Sequence, residues 1–408
     1  MKFVHLADAH LDSPFLGLSF LPSAQKQTIL QAANQSLAKI IHLALEQEAD
    51  LVLIAGDTFN STHPSPASQL FFAKQVKLLT DAKIQTVMVF GNHDHLDPAD
   101  LLVQPSPYFH LLGAGQKIQQ LHLTTSAGFH YSVAGFSYLQ NHIPTDLVAQ
   151  LPVKTGQEFA FGLFHAGEAM GHQQADVYAP FTKDDLRKLN YDYFALGHIH
   201  HRQIVLAHPL AVYPGNIQGR QSNELGAKGC YLGTIDEQSR AVGLQFVSTS
   251  QPVWQEVRIK LSGTVSKQVL TKTLTTKINE SLQGQTCVCL IVDNSQYLSD
   301  SEVELLQDTD YWQTLSEEIL DDSCLVKVSL AAKDQLLLNA QDRPAFIRAE
   351  QETLTAAVLE KAGRDLGKKS AVFASQLKDP QFQQEIFTLA HSKLQRYLRG
   401  LADETTTD

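Results

Sequence analysis

At 408 residues the chain exceeds what one compact core accommodates, so two or three domains are expected. With 43% hydrophobic and 18% charged residues it is an ordinary globular composition, which excludes a disordered, collagenous or low-complexity protein. The net charge of −11 is not that of a basic nucleic-acid binder, but residues 1–255 carry only −5, so charge neither supports nor excludes DNA. The start, Met1–Asp8, is apolar but broken by Asp8, too short for a signal-peptide core, and reads as a strand over Phe3–Ala7. Gln25–Glu48 places Ile29, Ala33, Leu37, Ile40, Ile41, Ala44 and Leu45 at helical spacing. Asp50–Ala55 is a buried strand, Pro66–Ala82 a second helix, and Ile84–Phe90 a third strand. Phe129–Phe136, Glu158–Phe164 and Tyr193–Leu196 continue the strands, and Thr182-x-x-Asp185 is a capping box opening a short helix to Asn190. This alternation predicts an α/β layered fold with helices covering the sheets.

From about residue 202 the pattern turns to short strands: Ala211–Tyr213, Gly229–Ile235 and Leu244–Val247. A strand–helix–strand unit follows over Trp254–Leu261, Val265–Leu282 and Thr286–Val292, then an acidic stretch Asp300–Asp322 and a strand Leu325–Leu330. The remainder is mostly helical, ending in an apolar stripe over Gln381–Leu401 and a polar tail. The expected division is therefore 1–253, a small α+β domain over 254–330, and a helical region over 331–408. Four cysteines without metal-ligand spacing read as small core residues in a reducing, cytoplasmic setting. No apolar stretch approaches the ~18–20 residues needed to cross a bilayer, so no membrane role is expected.

The chemistry lies in five short runs, each directly after an apolar strand: Asp8-Ala9-His10, Gly56-Asp57, Gly91-Asn92-His93-Asp94, His165, and Gly197-His198-Ile199-His200. Sixteen of the seventeen histidines fall at or before residue 208, so the N-terminal part is the chemical one. Any one of these histidines alone is more often a satisfied core or surface residue. Together, their order, their strand-end positions and their ligand types reverse that judgement. Open α/β sheets place their sites beyond strand carboxyl ends. Asp8, His10, Asp57, Asn92, His165, His198 and His200 supply only oxygen and nitrogen, which favours Mn, Fe or Zn in open sites over a closed structural zinc. Two divalent cations side by side are a standard device for phosphate-ester cleavage, and the Asp57 carboxylate is placed to bridge them. His93, next to ligand Asn92, is assigned as general acid, with Asp94 holding its ring.

These runs resemble the calcineurin-like metallophosphoesterase superfamily over residues 1 to about 250. Within it, Gly56-Asp57-Thr58-Phe59-Asn60-Ser61-Thr62-His63-Pro64-Ser65-Pro66 is similar to the second motif of SbcD-type DNA repair nucleases. Tyr213–Arg220 and Glu224–Gly229 resemble that family's segment after the metal ligands, most closely in YhaO-type exonuclease subunits. The resemblance implies a four-layer αββα sandwich with a small α+β capping domain and a helical C-terminal segment. It implies Mn-dependent hydrolysis of DNA phosphodiesters in repair, by a dinuclear centre. Asp8, His10, Asp57 and His200 would hold one ion; Asp57, Asn92, His165 and His198 the other. It further implies an SbcC-type (YhaN) coiled-coil ATPase partner, docked at the C-terminal segment, and a homodimer. Asn60, where several relatives carry His or Asp, and Arg220 are the expected substrate contacts.

Two other readings compete. A small-molecule phosphodiesterase shares all five runs but usually ends near residue 250, so the extra length favours a macromolecular substrate or partner. A scaffold subunit of an ATPase complex predicts eroded ligands, and none of the seven is missing. A protein phosphatase would carry Gly-Asp-x-x-Asp-Arg-Gly and Gly-Asn-His-Glu, which Gly56-Asp57-Thr58-Phe59-Asn60 and Gly91-Asn92-His93-Asp94 do not match.

Overall fold

The computed structural model describes residues 1–15, 17–169, 178–331, 343–380, 382–384, 386–388 and 390. Much of the stripe expected over Gln381–Leu401, and the tail, lie outside the described residues. The chain divides into two compact units, Met1–Gln255 with Gly284–Cys287, and Glu256–Gln283 with Val288–Asp408.

The first unit carries β1 (Lys2–Leu6), α1 (Ser23–Glu46), β2 (Leu51–Ala55), α2 (Pro66–Asp81), β3 (Gln85–Val89), β4 (Phe109–Leu111), β5 (Gln119–Thr124) and β6 (His130–Gly135). It continues with β7 (Phe159–His165), α3 (Lys183–Leu189), β8 (Tyr193–Gly197), β9 (Gln203–Leu206), β10 (Leu210–Tyr213), β11 (Gly229–Ile235) and β12 (Val242–Ser248). Two six-stranded sheets result, ordered β12-β11-β1-β2-β3-β4 and β5-β6-β7-β8-β10-β9. β1 to β4 are parallel neighbours in the first, and β6, β7, β8 and β10 in the second.

Strand alternation sends each sheet's side chains to two cores. Phe3, Leu51, Leu53 and Val87 of the first sheet meet Tyr131, Phe161, Tyr193 and Val212 of the second in one buried cluster. The opposite face of the first sheet, through Val4, Val52, Ile54 and Met88, packs on Leu37, Ile40 and Ile41 of α1 and Phe72, Val76 and Leu79 of α2. The outer face of the second sheet, through Phe164, Phe194 and Leu196, covers Leu186 and Leu189 of α3. The order is helix, sheet, sheet, helix, the four-layer αββα arrangement. Each fully buried Leu or Phe contributes roughly 1.5–3 kcal/mol, and this apolar frame offsets the burial of the polar donors below.

Strands β4, β5 and β9 were not legible in the sequence. They lie at or beside sheet edges, are three to six residues long, and β9 leaves Ile204 62% exposed. Their existence depends on a paired neighbour more than on burial of their own side chains.

Farther along, β13 (Val253–Lys260), α4 (Lys267–Ser281), β14 (Thr286–Asp293), α5 (Asp300–Gln307), α6 (Thr309–Glu317) and β15 (Cys324–Ala331) precede α7 (Arg343–Thr353), α8 (Ala356–Lys369) and α9 (Ala371–Gln376). β13, β14 and β15 form a three-stranded sheet. The acidic stretch is two helices rather than a spacer: Ser299 and Glu302 form a capping box for α5, and Asp308 accepts from Asp310 N at the start of α6. All four cysteines are buried and none forms a disulfide. No helix among the described residues is long and apolar enough to cross a membrane.

Candidate metal centre

Five of the parallel strands end in the five runs. Leu6 of β1 pairs with Ile54, Ala55 of β2 with Val89, and His165 of β7 with Gly197, which brings all five ends to one edge of the sandwich. Beyond the strands the chain continues as a ladder: Asp8 N donates to Gly56 O (3.1 Å), His10 N to Asp57 O (2.9 Å) and Leu11 N to Thr58 O (2.9 Å). Asp8, His10, Asp57 and His198 all adopt positive φ, at 52°, 43°, 50° and 105°. Non-glycine residues there cost of order 1–3 kcal/mol each, and such strain clusters at functional sites.

Glycine lets the two sheets approach at this edge. A Cβ on Gly197 would stand 1.8 Å from Ala55 O and 2.8 Å from His165 Nδ1, and one on Gly56 (φ +83°) 2.6 Å from His165 Nδ1. With both absent, His165 Nδ1–H donates to Ala55 O across the sheets at 2.9 Å. That bond fixes the tautomer and makes Nε2 the lone-pair nitrogen.

Among the described residues, two groups of donors have their ligand atoms within 4.8 Å of one another: Asp8, His10 and His200, and Asp8, Asp57 and His165. Asp8 belongs to both. Asp57 Oδ2 spans them as well, 3.6 Å from His10 Nε2 and 3.3 Å from His165 Nε2. Asn92 Oδ1 lies 3.1 Å from His165 Nε2. His198 stands beside the second group, its ring centroid 5.2 Å from that of His165, and its backbone N–H donates to the Asp8 carboxylate at 3.1 Å.

These residues fit divalent cations. His165 Nε2, a lone pair by its tautomer, faces two oxygen acceptors, and His10 Nε2 and His200 Nε2 face each other at 3.1 Å. Converging lone pairs in a buried space call for a positive charge between them. A proton is the simplest stand-in. Burial opposes charge on His165, but the Asp57 and Asp8 carboxylates outweigh it and push its pKa up to about 9. Burial likewise works against ionised Asp57, yet His165, His10 and His93 hold it well below the usual carboxylate range. Burial raises Asp8, and holds His10 well below the histidine range and His198 down to about 3. For His10, His198 and Asp57 these shifts favour the neutral imidazoles and ionised carboxylate that metal ligation requires.

His93 is exposed at the rim of this buried set. Its backbone N–H donates to Asp57 Oδ1 (2.9 Å), and its ring stands edge-on to that of His10 at 5.0 Å. The expected Asp94–His93 pairing is corrected here. Asp94 is fully buried, with its carboxylate accepting from the backbone N–H groups of Gly91 (2.7 Å), Thr58 (2.7 Å) and Phe59 (3.3 Å). Burial and the Asp57 charge push it up to about 7. Asp94 therefore pins the loops that carry Asp57 and Asn92. The His93 ring is held instead by Asn60, whose carbonyl accepts from Nδ1 at 3.2 Å.

Asn60 and Arg220, expected on the substrate, meet each other: Arg220 Nη1 donates to Asn60 Oδ1 at 3.0 Å and to Ser13 Oγ at 3.3 Å. The sequence reading missed Glu224 as a functional residue. Its Oε1 accepts from His200 Nδ1–H at 2.8 Å, and its Oε2 accepts from Asn216 Nδ2 and Arg220 N, each at 2.8 Å. Burial would raise Glu224, but the His200 hydrogen bond and Arg220 bring it down to about 2. An ionised carboxylate behind a ligand histidine orients the ring and makes Nε2 a stronger donor. Glu224→Gln is expected to weaken metal affinity about 10- to 100-fold, read by titrating metal-free protein with Mn. Unchanged affinity would leave Glu224 with a structural role only.

The two donor groups could each hold a metal ion, and residues 1–202 match the Calcineurin-like phosphoesterase family. That segment is a calcineurin-like metallophosphoesterase domain, of a family that uses a pair of divalent metal ions to hydrolyse phosphoesters. Over 263 residues the chain is 34% identical to the uncharacterized metallophosphoesterase YhaO of Bacillus subtilis, covering 64% of each protein. It is 24% identical over 265 residues to the DNA double-strand break repair protein Mre11 of Thermoplasma acidophilum, covering 63% of this chain and 65% of that protein. It is 25% identical over 215 residues to Mre11 of Sulfolobus acidocaldarius, covering half of each. The chain thus spans less than two thirds of the length of these curated relatives.

Proposed function

We propose that this protein is a metal-dependent DNA exonuclease acting in repair, working with an SbcC-type coiled-coil ATPase through its C-terminal region and as a homodimer. The observation that carries the hydrolase reading is the pair of donor groups sharing Asp8, all buried except the half-buried His200, with His93 exposed beside them. Asp8, His10, Asp57 and His200 would hold one cation, and Asp57, Asn92, His165 and His198 a second, with Mn the preferred metal. When bound, the cations supply charge neutralisation at a phosphoryl oxygen and an activated water nucleophile.

The chain's own residues do the rest. His165 is locked by Ala55 O and His200 by Glu224, so neither ring reorients during turnover. His93 Nδ1–H is committed to Asn60 O, so the acid form is the imidazolium, protonated on both nitrogens, and its Nε2–H would supply the proton to the departing oxygen, leaving a neutral ring still held at Nδ1. The DNA step rests on likeness to proteins named for double-strand break repair and on the residue 56–66 and 213–229 segments.

The test is a comparison, with Mn, of linear duplex DNA, a cyclic nucleotide and an aryl phosphomonoester. Degradation of the duplex is the expected result. Hydrolysis of the small esters with none of the DNA would replace the nuclease by a small-molecule phosphodiesterase.

A further inference from the structure

We infer that Asn60 and Arg220 are positioning residues that hold the His93 ring, rather than contacts to the substrate. The inference rests on the phosphodiesterase reading and deepens it. Asn60 sits where three loops of the site meet. Its N–H donates to Leu11 O in the ladder beyond β1 and β2. Its side-chain Oδ1 accepts from Ser13 Oγ (3.4 Å), on the loop after β1, and from Arg220 Nη1 (3.0 Å), on the loop after β10. Its backbone carbonyl holds His93 Nδ1 at 3.2 Å, on the loop after β3.

Arg220 is spent on the protein at both ends. Nη1 serves Asn60 and Ser13, while Nη2 lies 3.5 Å from Glu224 Oε1 and 3.4 Å from His200 Nδ1. A continuous polar chain therefore runs from ligand His200 through Glu224 and Arg220 to Asn60, and from Asn60 to the ring of His93. A planar guanidinium bridging two acceptors sets their separation more rigidly than a lysine would. The consequence is geometric: the position of the acid is referred to the position of a metal ligand. Misplacing a catalytic group by about 1 Å can cost on the order of 100-fold in rate.

Two substitutions separate this role from substrate contact. Asn60→Ala removes the Oδ1 acceptor, and Asn60→Asp restores it while turning the side chain anionic. With Mn and linear duplex DNA, Asn60→Ala is expected to lower kcat about 10- to 100-fold, with KM and bound Mn unchanged within about twofold. Asn60→Asp should bring kcat back to within about threefold. If Asn60 touches the DNA phosphate, Asn60→Asp instead raises KM and is the worse variant, which overturns the inference.

A second readout is independent of turnover. In metal-free protein carrying 15N-histidine, the His93 Nδ1–H tautomer should dominate in the wild type and lose its preference in Asn60→Ala and Arg220→Ala. An unchanged tautomer in both variants overturns the inference. Inactivity of wild-type protein on every ester defeats the phosphodiesterase reading alone, and the tautomer measurement then decides the geometry by itself.

Discussion

Asp57→Asn is expected to abolish hydrolysis and to lower bound metal below two ions per chain, while the protein stays folded. The substitution keeps the shape of the side chain and an oxygen able to accept from His93 N–H at the position now 2.9 Å away. What it removes is the charge of an oxygen that spans the two groups, 3.6 Å from His10 Nε2 and 3.3 Å from His165 Nε2. An amide is a weak, neutral ligand and does not bridge two hard cations. The loss in affinity should exceed the roughly 10- to 100-fold typical of an outer partner such as Glu224. Metal content after gel filtration, with a circular dichroism spectrum as the folding control, checks both parts. Two tightly bound ions in a folded Asp57→Asn protein would remove Asp57 from the bridging position.

Much of this site could be read from the chain because the fold writes it locally. A parallel strand buried on both faces is a run such as Leu51–Ala55, and a ligand just past its end is the first polar residue after the run. Asp8, Asp57, Asn92 and His198 each follow that rule, and the structure gathers all of them at one edge. The same local reasoning failed at Asp94. Its sequence neighbour is His93, but in the turn after β3 the two side chains part, one exposed and the other fully buried. Adjacency in sequence predicted a contact that the turn forbids.

Glu224, Ser13 and Arg220 were illegible as a set for a different reason. Their partners lie 24, 47 and 160 residues away in sequence, at His200 for Glu224 and at Asn60 for Ser13 and Arg220. Contacts at that separation are made by the sandwich as a whole, through the β9–β10 pair and the return to β11, and no periodicity encodes them. The resemblance pointed to the 213–229 segment without saying what it touched. The hydrogen bonds show what that segment contributes, namely one ion-paired carboxylate behind His200 and one guanidinium reaching Asn60.

His93→Ala is expected to lower kcat on DNA by about 10²–10⁴, the range for losing a positioned general acid, while KM and bound metal change little. The ring is exposed and its polar partner is Asn60 O, so its removal opens no cavity in the core and leaves the His93 N–H to Asp57 bond in place. Leaving-group dependence separates the acid role from general charge stabilisation. A DNA strand departs as a poorly stabilised alkoxide and needs a proton in the transition state. A nitrophenyl phosphodiester departs as a stable phenolate and does not. The variant should therefore lose far less on the aryl diester than on DNA. A group that only stabilises charge on the phosphoryl oxygens acts alike on both substrates. Equal losses on the two would move His93 from proton donor to charge stabiliser, and near-normal cleavage of DNA would remove it from catalysis.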